Sequence, residues 1–179
     1  MKKKGYRMTN QSKKIANMAM LVAVAMIFSY VESLIPINFG VPGMKLGIAN
    51  LVTVTGLYFL AVPEVMAVVA MRVLLTGFLF GNGMSIMYSL AGGLLSVLVM
   101  AGMKNLKGFS IIGISMAGGI AHNIGQLAVA TLVVENLKLI YYLPALLLAG
   151  AVTGFLIGLV SGKLLPVVKR EAVKSLKTV

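Results

Sequence analysis

Residues Ser110 to Val134, SIIGISMAGGIAHNIGQLAVATLVV, form an apolar stretch long enough to cross a bilayer, and His122, Asn123 and Gln126 lie inside it. At about 1.5 Å per residue the stretch exceeds the roughly 30 Å thickness of a hydrocarbon core. A segment that only anchors has no use for an imidazole and two amides, which are expensive in lipid unless they face a partner or a wet cavity. The three side chains are therefore candidate site residues. His122 and Gln126 stand four apart and Asn123 three before Gln126, so the spacing predicts that all share one side of a helix. Gly113, Ala117 and Gly118 add a small-residue surface on which a second helix can approach closely.

Composition sets the class. Of 179 residues, 59% are hydrophobic and 11% charged, outside the range of soluble domains. The absence of Cys removes disulfides and thiolate metal sites. There is no Asp, and the acidic residues are Glu32, Glu64, Glu135 and Glu171. A net charge of +12 suits a nucleic-acid surface in principle, but the basic residues are not arranged as one. They gather before the first apolar run (Lys2, Lys3, Lys4, Arg7, Lys13, Lys14), after the last (Lys163, Lys169, Arg170, Lys174, Lys177) and in one loop (Lys104, Lys107). That is the pattern of cytoplasmic segments contacting anionic lipid, and it argues against nucleic acid.

Six apolar runs follow, at about 15–35, 46–62, 64–80, 84–103, 110–134 and 139–165. They predict an all-α bundle of six transmembrane helices over residues 15–165, flanked by basic cytoplasmic segments at 1–14 and 166–179. An even number of crossings puts both termini on one side, and the basic clusters put that side in the cytoplasm of a multi-pass cell-membrane protein. The basic head, apolar run and Ala23, Val24, Ala25 mimic a cleaved signal peptide. The run continues through Met26, Ile27, Phe28 and Tyr30, so it reads instead as the first helix. The second and third runs are short for spanning helices and share a turn at Val62, Pro63 and Glu64.

Arg72 is the sharpest single residue. It lies about 12 Å into the third run, near mid-bilayer, where a charge costs at least about 3 kcal/mol and must face the bundle interior. A salt bridge to Glu32 and a bound ligand anion explain it equally well. Lys45 and Asn50 lie in the second half of the irregular stretch PINFGVPGMKLGIAN, Pro36 to Asn50, which suits a loop capping a cavity. With Asn82 at the mouth of the fourth run, these residues make a polar, net-positive outer pocket for a small anionic or strongly hydrogen-bonding ligand. Ala19 and Ala23 form an Ala-x-x-x-Ala row that serves either internal packing or a partner helix. Gly150, Gly154, Gly158 and Gly162 give the last run a four-residue packing stripe.

Catalytic chemistry lacks its parts. The chain has no paired carboxylates, no metal constellation, no nucleophile beside a base and no phosphate-binding Gly loop, so neither a catalytic residue nor a cofactor is assigned. A proton-driven carrier using His122 and Glu32 is a further alternative.

The blocks PGMKLGIAN at Pro42 to Asn50, AMRVLLTGFLFGN around Arg72, YSLAGGLLS at Tyr88 to Ser96, GGIAHNIGQL at Gly118 to Leu127 and YLPALLLAGAVTG in the last run resemble the Gx transporter family. That family is also labelled heptaprenyl diphosphate synthase component I. The resemblance implies a fold like the substrate-binding S components of energy-coupling-factor transporters, and ligand contacts from Lys45, Asn50, Arg72, His122, Asn123 and Gln126. It further implies docking through Ala19 and Ala23 on a transmembrane coupling subunit that carries two ATPases. Prenyl diphosphate synthases bind magnesium diphosphate through aspartate-rich motifs, which a chain without Asp cannot supply. Under the synthase label the chain would be a noncatalytic membrane subunit.

Overall fold

The structure, a computed structural model, describes residues 10–34, 47–106 and 108–177. These form α1 (Asn10–Ser33), α2 (Asn50–Gly56), α3 (Val62–Phe80), α4 (Gly83–Asn105), α5 (Ile111–Val133), a 3-10 helix (Leu137–Tyr142) and α6 (Leu143–Lys177). All of α1, α3, α4, α5 and α6 are long and apolar enough to cross a membrane. The chain is an all-helical, multi-pass bundle.

The second apolar run behaves differently from the rest. Only Asn50–Gly56 is α-helical, seven residues or about 10 Å of axis. Gly47 sits before it at φ +86, a left-handed conformation closed to a helix, and Gly56 ends it. Between them Val52, Thr53, Val54 and Thr55 are β-branched and poor helix formers. What tolerates so short a helix is its position. It packs against every other α-helix, and Asn50, Val52, Thr53, Val54 and Gly56 are buried.

The chain still makes a complete return through this segment. Lys14 near the start of α1 pairs with Glu64 at the start of α3, so both helices begin at the same end of the bundle. Glu64 also accepts the backbone N–H of Ala61 at 3.1 Å, which fastens the entry into α3. Lys104, from the end of α4, donates to the carbonyl of Leu57 and lies 5.0 Å over the ring of Tyr58, holding the turn after α2 to that same end.

Around α2 the long helices are adjacent in the order α1, α3, α4, α5, α6, and α2 closes the ring between α6 and α1. One apolar cluster surrounds α2 and includes Val54, Leu57, Val65, Val69, Val73, Val97, Met100 and Ile114. A second, with Tyr88, Leu127, Ala130, Leu139 and Leu146, fills the opposite half of the bundle. The buried Asn50, Arg72, His122 and Gln126 belong to neither cluster.

Glycines set the α5–α6 contact. A Cβ on Gly119 would stand 2.2 Å from the carbonyl oxygen of Gly150, and one on Gly154 or Gly158 would strike backbone of Met116 or Ile112 at 2.6 and 2.7 Å. Such approach gains close packing where lipid offers no hydrophobic drive between helices. Gly162, the last of the four-residue stripe, has nothing within 4 Å of its Cβ position. The sixth run also outlasts its apolar part, continuing as helix through Pro166 to Lys177. Ala19 and Ala23 are both exposed on α1, so this row is not consumed by packing among the described residues.

Gly119→Ala should destabilise the protein by about 1–3 kcal/mol, as over-packing does, and lower its thermal midpoint in detergent. Gly162→Ala should leave that midpoint unchanged, as read by fluorescence-detected thermal unfolding.

Candidate functional site

The site is built where α2 begins. Gly47, with its positive φ, donates its backbone N–H to Glu32 Oε1 on α1 at 2.5 Å. The missing side chain of Gly47 is what lets α5 approach. A Cβ there would meet His122 Cδ2 at 3.1 Å, Asn50 Nδ2 at 3.2 Å and His122 Nε2 at 3.3 Å. One backbone position thus joins a carboxylate on α1, an amide on α2 and an imidazole on α5.

From α3, Arg72 reaches the same region. It is 5% exposed, and its Nη1 donates to Ser29 Oγ on α1 at 3.1 Å, one turn before Glu32. The Glu32 carboxylate lies near enough to act on the guanidinium through Coulomb attraction. Arg72 Nη2 is buried with no hydrogen-bond partner among the described residues, and so is Asn50 Oδ1. A guanidinium has five N–H donors and no acceptor, so an unused buried nitrogen is an offer to an acceptor from elsewhere. The Asn50 oxygen makes the converse offer to a donor.

Helix α4 meets both Arg72 and His122 through two adjacent glycines. A Cβ on Gly93 would lie 3.8 Å from Arg72 Nη2, and one on Gly92 would lie 3.1 Å from His122 Nδ1 and 2.8 Å from Gln126 Cγ. His122 Nε2 and Gln126 Nε2 are 3.0 Å apart. The two side chains, one turn apart on α5, are thus in hydrogen-bond contact.

Asn123 does not share this arrangement. Its Nδ2 donates to the carbonyl of Leu146 at 2.7 Å, which directs the side chain to α6, whereas His122 and Gln126 face α4 and Gly47. The spacing argument that grouped all three is corrected here. Residues one apart on a helix diverge by about 100°, so Asn123 and His122 meet different neighbours although each is close to Gln126 in projection. Asn82 also leaves the pocket. It is exposed and caps α4, accepting the N–H of Ser85 at 2.8 Å. Lys45 falls outside the described residues.

Sequence reasoning passed over Ser29, Gly47 and the Gly92–Gly93 pair as site residues. For Ser29 the signal was present, since it precedes Glu32 by three on α1. Gly92 and Gly93 were legible only as packing, because which neighbour approaches a glycine is not written in its own helix. Among the described residues no group of three His, Cys, Asp or Glu could hold a metal ion.

A family model described as heptaprenyl diphosphate synthase component I matches residues 21–164. The chain belongs to this family. A solved structure described as "Structure and mechanism of the S component of a bacterial ECF transporter" superposes on this component I chain with a TM-score of 0.57 at 19% sequence identity. The match covers 94% of this chain and 99% of that one, so the two share a fold from end to end. No curated protein matches the component I sequence. The all-α membrane architecture expected from the apolar runs is thus the one observed, and the family is the one that the AHNIGQ and KLGIAN blocks indicate.

Gly47→Ala should destabilise the component I protein by roughly 1–2 kcal/mol, because a non-Gly residue at this φ is strained and its Cβ presses on His122. Thermal unfolding of the purified variant, beside Gly83→Ala, which meets nothing within 4 Å, checks it.

Proposed function

We propose that this chain is the substrate-capturing membrane subunit of an energy-coupling-factor type importer for a small anionic or cofactor-like molecule. Arg72, Asn50, His122 and Gln126 contact the ligand directly. Lys45 stands with Asn50 at the lid, and Asn123 supports the wall through α6. Capture is from outside the cell, with both termini in the cytoplasm of the plasma membrane. Ala19 and Ala23 then offer α1 to a transmembrane coupling subunit served by two ATPases, which supplies the energy that this chain has no means of providing.

The observation that carries this reading is the unspent hydrogen-bonding capacity of Arg72. A charge this deep is held at a cost, and a purely structural guanidinium would have its donors satisfied by protein. Here one nitrogen is used to fix the group on Ser29 and the other is left over. The S-component-like fold supports a membrane substrate-binding subunit in general.

The family description favours a second reading, a noncatalytic membrane partner of a prenyl diphosphate synthase in which Arg72 and Lys45 hold a diphosphate. The two separate on co-purification. ATPase subunits recovered with the tagged chain support the importer, and a soluble synthase subunit supports the accessory role.

Charge-assisted hydrogen bonds contribute about 1.5–3 kcal/mol each. Arg72→Ala should therefore weaken binding of the natural ligand by roughly tenfold to a hundredfold while the protein remains folded. Mass spectrometry of the small molecule retained through purification checks this, with circular dichroism to confirm folding. Equal retention by the variant would remove Arg72 from the site.

A further inference from the structure

Helix α1 is fastened to the bundle differently from the other long helices. Its buried residues are Ala25, Ser29 and Glu32, one line at helical spacing, and the rest of its described side chains are half-buried or exposed. Two of the three are polar, and each is held by the candidate site. Arg72 Nη1 donates to Ser29 Oγ at 3.1 Å, and Gly47 donates its N–H to Glu32 Oε1. The other contacts of α1 are lighter: Lys14 pairs with Glu64 at one end, Leu21 touches the face of Gly56, and the rings of Tyr30 and Phe80 stand 5.0 Å apart at the other end.

Helices α4, α5 and α6 are locked in another way. A Cβ on Gly92 or Gly125 would strike backbone across the α4–α5 contact, and one on Gly119 or Gly154 would do so across α5–α6. No glycine lies in α1. What seats α1 at the depth of the site is therefore mostly polar, and a polar contact can be exchanged for another where interlocked backbones cannot.

Charge gives that exchange a direction. Among the described residues Glu32 and Arg72 are the buried carboxylate and the buried guanidinium, so the two charges balance. An acid arriving at Arg72 puts a second anion on one cation, and like charges sharing a poorly screened interior site repel. Something must give way. Glu32 stands on the helix with the thinnest seam, one residue from its end at Ser33.

We propose that an acid bound at Arg72 displaces Glu32 and loosens the Ser33 end of α1, so that the helix bearing Ala19 and Ala23 changes its seating when the site fills. This rests on the reading of Arg72 as a ligand contact and adds a consequence for α1. Glu32 acts as a positioning residue, a resident counter-anion that holds α1 down until an acid replaces it.

The chain has no Cys, and Ile27 on α1, Phe78 on α3 and Leu132 on α5 are exposed. Nitroxide labels on Ile27→Cys with Leu132→Cys, and on Phe78→Cys with Leu132→Cys as the reference, give α1–α5 and α3–α5 separations by double electron–electron resonance in nanodiscs. Acetate and methyl phosphate are the probes, added after retained small molecules are washed out, and calorimetry follows their binding to the same samples. At least one acid should shift or broaden the 27–132 distances and leave the 78–132 distances unchanged, and Arg72→Lys should weaken its binding tenfold or more. Glu32→Gln removes the resident charge and keeps an oxygen for Gly47. It should bind the same acid about tenfold more tightly, with no further change at 27–132. A carboxylate that only braced the site would give the opposite sign.

The distance change in the unsubstituted background decides the matter even if a variant fails to fold. Arg72-dependent binding that leaves the 27–132 distances unchanged, or that is no tighter in a folded Glu32→Gln protein, would overturn the device and leave the Arg72 site standing. If neither acid binds in an Arg72-dependent way, the site falls with it.

Discussion

A permanently charged guanidinium held inside a membrane bundle is the constraint on which the remaining structure depends. Arg72 cannot shed its charge as a lysine can, so the protein must surround it with compensating groups. Ser29 takes one nitrogen, and Glu32 provides the opposite charge one turn along α1. Glu32 is itself fixed by the backbone of Gly47. This chain of contacts ties α1, α3 and the start of α2 together.

Short α2 is the second consequence. A full-length helix in that position would fill the interior along the whole axis. The seven residues of α2 fill only the half that contains Val54 and Leu57, and they leave Asn50 and Gly47 at the level of His122. The glycines of α4 and α5 complete the arrangement by admitting backbones and rings where side chains would stand. Gly92 receives His122 and Gln126, Gly93 lies beside Arg72, and Gly119 receives α6. Small residues therefore act here in two ways, as helix-packing surfaces and as the positions that admit the side chains of the candidate site.

Much of this was legible in the sequence, and the limits are physical. Apolar runs located the five long helices, because a run of about 20 residues in lipid has no structure open to it except a helix. The cost of burying Arg72 pointed it inward, and it is buried against Ser29 of α1, one turn from Glu32. The run at 46–62 concealed its short helix, since hydropathy is blind to the Gly47 and Gly56 boundaries and to a β-branched interior. Asn123 was grouped wrongly because i, i+3 and i, i+4 spacings tolerate a spread of 100°, wide enough to face two different helices.

The central claim is the proposal that Asn50, Gln126 and Arg72 line one ligand site that is reached from one side of the membrane. With no native Cys to remove, single cysteines at Asn50 and Gln126, with Ser161→Cys as a buried control, can be exposed to a membrane-impermeant thiol reagent applied to each face of sealed vesicles. The account predicts that Asn50→Cys and Gln126→Cys both react, from the outer face alone, and that Ser161→Cys reacts from neither. Silence at both positions, or reaction of the two from opposite faces, would contradict it.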